Sequence, residues 1–201
     1  MQSAKSQYYL NQCIQAAEKS TMSFTLGAVL VKGGKVIAHG YNHQRTNYDG
    51  SCKQPGRKPV SMHAEMHAIS MATGLTPNFK SQVQPGSYRF EGSEPQEPQS
   101  KDIYVARVKF LQSSLSPISD ITATPAGSAR PCTRCLIWCR WAGIRRVFYW
   151  TSASGTTSDT DTGGEGGFVS VKPAEALRCV GDAEYLTQAD RKIAEGTFEF
   201  L

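Results

Sequence analysis

The sequence predicts an α/β domain of layered helix/sheet/helix build, and three observations carry that prediction. Elements follow in the order helix, hairpin, helix, strand, helix, strand, the alternation that stacks helices on a sheet. The strand–helix–strand unit from Asp102 to Trp150 predicts a parallel pair with a right-handed crossover. The chain has 201 residues and is 39% hydrophobic, which suits one packed core with loop to spare.

Ala4 to Lys19 has Tyr8, Tyr9, Cys13, Ile14 and Ala17 at helical spacing and predicts the first helix. Thr25 to Val31 predicts a strand, Gly33-Gly34 a tight turn, and Lys35 to His39 the returning strand. Tyr41 to Pro59 is polar with Gly, Pro and Asn throughout and predicts a loop. Met62 to Thr73, rich in Ala and Met, predicts the second helix. Residues 74–101 carry Pro77, Pro85, Pro95 and Pro98 with few apolar positions and predict a polar excursion. Asp102 to Ala106 predicts a short strand, 107–130 a polar loop, Cys132 to Ala142 a third helix and Arg146 to Trp150 a strong strand. Residues 1–150 thus form the core. Residues 151–201 form a Gly/Ser/Thr-rich loop and a helical extension, around Ala174 to Leu177 and Gln188 to Ala194, without being a separate domain.

Lys and Arg total 22 against 17 Asp and Glu, a net charge of +5 that permits an anionic substrate. Apolar runs fall short of the roughly 20 residues of a membrane span, and Met1 to Gln7 is polar, so no membrane partner is expected. The expected compartment is the cytoplasm, with the nucleus also open, where thiols stay reduced. The 6 cysteines are then ligands or core residues rather than disulfides.

Two helix starts carry the chemistry: Met62-His63-Ala64-Glu65 and Pro131-Cys132-Thr133-Arg134-Cys135. Cys132 and Cys135 share a helix face. With His63 they supply three of zinc's four usual ligands and leave the fourth position for water, the mark of a catalytic site. Helix N-termini favour thiolates. Two thiolates neutralise the ion, so its water needs a carboxylate close by, and Glu65 is placed to reach it. H-x-E followed by P-C-x-x-C is the zinc-deaminase signature, with the glutamate as proton shuttle. A closed structural site would need Cys139 or His67, each one turn, about 5.4 Å, deeper in its helix. Cys139, Cys13 and Cys179 are therefore read as core and Cys52 as a loop thiol.

On these motifs the chain resembles the cytidine deaminase superfamily over Thr25 to Trp150. The resemblance implies a mixed five-stranded sheet with helices on both faces, one zinc per chain, a small-molecule substrate and a homodimer. His63-Ala64-Glu65-Met66-His67-Ala68-Ile69, Asp102-Ile103-Tyr104-Val105 and Ala142-Gly143-Ile144-Arg145-Arg146-Val147-Phe148 are similar to the deaminase of the riboflavin pathway, closest to its free-standing fungal form. That implies hydrolysis of a diamino-ribitylamino-pyrimidinone phosphate with release of ammonia. The bacterial form has a longer loop between its cysteines, and no reductase domain follows Trp150 here. The short C-x-x-C and Tyr41-Asn42 suit a cytidine, deoxycytidylate or RNA-acting deaminase equally. A non-catalytic zinc-bearing subunit is a further alternative, opposed by the presence of Glu65.

Asn42 matches a substrate-contacting position of these relatives, and its amide both donates and accepts. Ala64, Arg134 and Arg130 complete the expected substrate contacts, the arginines holding a phosphate with help from Lys53, Arg57 and Lys58. Trp138 and Trp141, at helical spacing beside Ile137 and Ile144, predict a subunit interface, so nucleic acid is not an expected partner. Phe198-Glu199-Phe200-Leu201 is a candidate lid or docking tail.

Overall fold

A glycine pair sets the start of the sheet. The computed structural model of the protein describes residues 3–45, 60–74, 100–112, 121–152 and 166–179. In it β1 (Thr25–Lys32) and β2 (Lys35–Tyr41) pair antiparallel through Gly33 and Gly34, both at positive φ, 57° and 81°. Two such residues make the turn whose twist matches the strands it joins. β1 also pairs antiparallel with β5 (Lys101–Gln112), and β5 pairs parallel with β7 (Ile144–Thr151), as the crossover unit predicts. Arg145 clamps the starts of the two parallel strands, donating from Nε and Nη2 to the Asp102 carboxylate at 3.1 and 2.6 Å.

The sheet is mixed, as expected, but has six strands, in the order β2-β1-β5-β7-β8 with β6 (Ile121–Pro125) paired to β5. β8 (Gly167–Val171) lies antiparallel on β7. The expected loop 107–130 is therefore in part a hairpin: β5 runs on to Gln112 and β6 returns beside it. The polar stretch after Tyr41 likewise holds a two-stranded sheet, β3 (His43–Arg45) with β4 (Val60–Met62). β3, β4 and β6 are only three to five residues long, too short for an alternation to define them, so their pairing partners do.

Helices close both faces. α1 (Ala4–Ala17), capped by Ser3 accepting from the Ser6 N–H at 3.2 Å, lays Tyr9, Leu10 and Cys13 on Val29, Val31, Ala106 and Trp150. On the opposite face lie α2 (Ala64–Thr73) and α3 (Thr133–Trp141). There Met66, Ile69, Leu136 and Cys139 pack on Ala28, Leu30, Ile103, Val105 and Val147. A short α4 (Pro173–Ala176) and a 3₁₀ turn, Leu177–Cys179, follow β8.

Two glycines permit these close approaches. A Cβ at Gly27 would stand 1.9 Å from the Cys13 carbonyl oxygen of α1. One at Gly40 would stand 2.2 Å from the Ala64 carbonyl oxygen of α2. Neither leaves room for a side chain, because both obstacles are helix backbone.

Trp138 is 4% exposed and lies in the core, edge-on to the half-buried Trp141 at 5.2 Å. Trp138 is thus spent on the chain's own interior, contrary to the expectation of a surface role, while Trp141 stays partly exposed. Cys13 and Cys139 are wholly buried, as predicted. The expectations for Cys52, Lys53, Arg57, Lys58, the stretch 188–194 and the tail from Phe198 lie outside the described residues. Among the described residues no helix is long and apolar enough to cross a membrane.

Candidate metal centre and active site

The cradle is assembled from two helix starts built alike. His63 is the N-cap of α2 and Cys132 the N-cap of α3, both in extended backbone, with ψ of 153° and 165°. Their carbonyls accept the first helical bonds, from the N–H of His67 at 2.9 Å and of Leu136 at 3.0 Å. Neither side chain caps its own helix, so each is free to turn to its counterpart. β3 and β4 aim the first half, since Met62 pairs with His43 and delivers His63 to the head of α2. A bond from Ala129 N–H to the Trp150 carbonyl, 2.8 Å, anchors the second half three residues before Cys132.

The His63 Nδ1 atom stands 3.2 Å from the Cys135 Sγ and 3.5 Å from the Cys132 Sγ, and the two sulfurs are 3.6 Å apart. Tetrahedral zinc, with Zn–S of about 2.3 Å and Zn–N of about 2.0 Å, needs edges of about 3.8 Å between sulfurs and about 3.5 Å between sulfur and nitrogen. The triangle fits that requirement to within a few tenths of an ångström. His63, Cys132 and Cys135 are positioned to bind a metal ion, and they form the one such group of His, Cys, Asp and Glu among the described residues. Two sulfurs and an imidazole favour zinc over the hard, oxygen-seeking cations. Neither Cys139 nor His67 joins them; the His67 Nδ1 faces the Tyr41 backbone instead, 3.2 Å from its N and 3.1 Å from its O. Three protein ligands with a fourth position open is the catalytic arrangement.

The protons already favour metal binding at one corner. A hydrogen bond from the Cys135 thiol, with His63 alongside, holds Cys132 well below the usual thiol range despite its burial. Burial pushes Cys135 and Cys139 up. Burial works to lower His63, but the Cys132 thiolate beside it prevails and lifts the imidazole to about 9. Glu65, in the first turn of α2, is only 3% exposed, and burial raises its carboxyl although His63 and a hydrogen bond with Cys135 oppose the rise. A buried carboxyl with a raised pKa, beside a metal cradle, is equipped to take up and hand on a proton.

The remaining expected residues fall in different places. Ala64 is buried and turns its carbonyl onto Gly40. Arg134, between the two cysteines, is half-buried, and Arg130 is exposed just before Pro131. Asn42 is buried and largely committed to the protein. Its Oδ1 accepts from the Leu26 N–H at 2.7 Å and lies 2.9 Å from the Ser20 hydroxyl, while its Nδ2 donates to the Phe24 carbonyl at 2.5 Å. One N–H of the amide has no partner among the described residues, so the donor-and-acceptor pair expected of it is reduced to a single donor.

Gly40 escaped the sequence reading. It had a signal, an isolated glycine at the end of a strand, which marks a close approach of backbones. It lets the first turns of α2 lie directly on β2.

The family model described as "Cytidine and deoxycytidylate deaminase zinc-binding region" matches residues 3–151. No curated protein matches the chain. Among solved structures, a cytidine deaminase from Burkholderia pseudomallei is 17% identical, covering 84% of this chain and 93% of its own, with a TM-score of 0.42. The dCMP deaminase of the cyanophage S-TIM5 matches in its apo form at 17% identity and a TM-score of 0.38, covering 73% of this chain and 82% of its own. Its complex with dCMP and dUMP matches at 18% and 0.38, covering 73% and 81%.

Proposed function

The chain belongs to the cytidine and deoxycytidylate deaminase zinc-binding family, and from that premise we propose that it hydrolyses the exocyclic amine of a phosphorylated aminopyrimidine. The observation that carries this reading is Glu65, buried beside the three-ligand cradle on the helix that His63 begins.

His63, Cys132 and Cys135 would hold the zinc. When bound, it supplies a Lewis acid that makes water acidic enough to attack at neutral pH. Glu65 accepts a proton from the attacking water and delivers it to the ring nitrogen. It then takes the second proton from the hydroxyl newly bonded to the ring carbon and hands it to the amine, so that water is consumed, the C–N bond breaks and ammonia leaves a carbonyl behind. The N–H of Asn42 not given to Phe24 is available to the ring or sugar. Arg134 and Arg130 stand on either side of Cys132, where a phosphate would meet both guanidinium donors and the start of α3.

The substrate we favour is the diamino-ribitylamino-pyrimidinone phosphate of riboflavin synthesis. The supports are the run His63 to Ile69, the strand Asp102 to Val105 and the stretch Ala142 to Phe148. A cytosine nucleotide is the second reading, supported by the two-residue gap between Cys132 and Cys135 and by the family match.

Ammonia release from aminopyrimidine phosphates and from cytidine, CMP and dCMP separates the two. Glu65→Gln keeps the zinc and the fold and loses at least about 10²–10⁴-fold in turnover, because the amide cannot carry the proton. Turnover within a few-fold of the parent would end the mechanism. Ammonia from cytosine nucleotides alone would end the riboflavin reading.

A further inference from the structure

We propose that Arg107 is a substrate-anion contact, its guanidinium seated on Phe24 at the rim of the metal centre. The proposal rests on the phosphorylated-pyrimidine reading and adds a residue from a part of the chain outside both signature motifs.

Its place follows from the strand register. Gly40, Ala28, Val105 and Tyr149 face one another across four strands. The α2 turn from Ala64 to Ala68 crosses this row at Gly40, where a Cβ would lie 2.2 Å from one backbone and 2.4 Å from the other. Side chains alternate between faces, so the next row on the same face comes two residues on, about 6.8 Å along the strand. That row is Asn42, Leu26 and Arg107: the Asn42 N–H bonds the Leu26 carbonyl, and Leu26 pairs with Arg107. Asn42 precedes His43, which pairs with Met62, the residue before His63. Arg107 therefore belongs to the row from which the first half of the cradle departs.

It is tied to the second half as well. The Arg107 carbonyl accepts from the Ala126 N–H at 2.9 Å, and its Nη1 lies 3.4 Å from where a Cβ at Gly127 would stand. From Gly127 the chain runs through Ala129 and Pro131 into Cys132.

The chemistry of the side chain points to an anion. The guanidinium carbon lies 4.6 Å from the centroid of the Phe24 ring, and that ring is 63% exposed. An aromatic face engages the flat of a guanidinium and leaves its edge donors available. Arg107 is half-buried, yet the ion pairs among the described residues are Arg145 with Asp102 and Lys172 with Glu175, and neither involves it. A planar cation held on a ring, without a carboxylate among the described residues, suits a phosphate monoester.

The test uses the zinc-loaded full chain and direct binding by calorimetry, with each pyrimidine 5′-phosphate and its dephosphorylated partner as the probe pair. Arg107→Ala should weaken the phosphorylated member about ten- to a hundredfold and leave the other within about twofold. Arg107→Lys, which keeps the charge and loses the fork, should fall between. Equal losses on both members, or none on either, overturn the proposal, and a melting curve for each variant shows that the fold is intact. A phosphate-dependent loss on CMP, without turnover of the aminopyrimidine phosphate, would uphold Arg107 and remove the riboflavin substrate. Turnover of that substrate unaffected by Arg107→Ala would do the reverse.

Discussion

The two faces of the sheet are closed by the same device and put to opposite uses. Each has a helix resting on a strand glycine, α1 on Gly27 and α2 on Gly40, so closely that no side chain fits between. Each buries cysteine completely. On the α1 face Cys13 lies well inside its helix and donates to the Tyr104 carbonyl at 3.4 Å, and burial drives its thiol far upward. It is a small apolar filler with one weak bond. On the other face Cys132 stands at the head of α3 with Cys135 as a donor and His63 within 3.5 Å, and its thiol is pulled down. Burial is shared. What separates filler from ligand is position along the helix and the partner that position brings.

The cysteines offer the sharpest way to break this contrast. Cys132→Ser should abolish zinc binding and turnover together, because a serine hydroxyl is a poor zinc ligand at neutral pH. Cys13→Ser should keep one zinc per chain and full turnover, with a stability change of about 1 kcal/mol, since the hydroxyl can keep the bond to Tyr104. Elemental analysis and a denaturation curve on both proteins decide it. Undiminished zinc in the first, or lost zinc in the second, would erase the distinction between the faces.

The glycines come next. Gly27→Ala and Gly40→Ala each force a methyl into helix backbone and should cost about 3 kcal/mol or more, at the upper end of overpacking. They should differ in what else fails. Moving α1 leaves the cradle alone, whereas moving α2 carries His63 and Glu65 away from Cys132 and Cys135. Zinc per folded chain, measured where both variants are still native, should fall only for Gly40→Ala.

The smallest effect concerns Asn42, which ties the approach to β1 to the end of β2. Asn42→Ala strands the Leu26 N–H and should cost about 1–3 kcal/mol, the desolvation of a buried donor left unmade. A rise in KM beyond what the loss of fold explains would show that the spare amide N–H also meets the substrate. An unchanged KM would make the residue purely structural.

The metal centre was legible because each half of it is local. His63-x-Glu65 and Cys132-x-x-Cys135 put their side chains at helix starts by spacing alone, and zinc restricts which residue types can meet there. The layered fold was legible from the Gly33-Gly34 turn, the apolar run of β1 and the crossover to β7. β6 and β3 were not. Ile121-Thr122-Ala123-Thr124-Pro125 and His43-Gln44-Arg45 are too short for a period to stand out from their polar surroundings, and they are strands because β5 and β4 run beside them. Arg107 was hidden for a related reason: it sits on the extension of β5 beyond Ala106, where Arg107 and Lys109 interrupt the apolar run. Trp138 was misassigned to a surface because helical spacing says which residues share a face and not what covers that face.

The cradle also has a mechanical meaning for the chain as a whole. Its two halves are 69 residues apart in sequence, and when an ion joins them it staples a long loop shut. Ordering such a loop carries an entropic cost that grows only logarithmically, about 0.6 kcal/mol for each doubling of its length. The stretch between α2 and β5 can therefore lengthen or shrink considerably while the staple holds α2 and α3 together at nearly the same free energy. Length variation there is cheap for the fold, and the same arithmetic makes the ion a cross-link as well as a reagent.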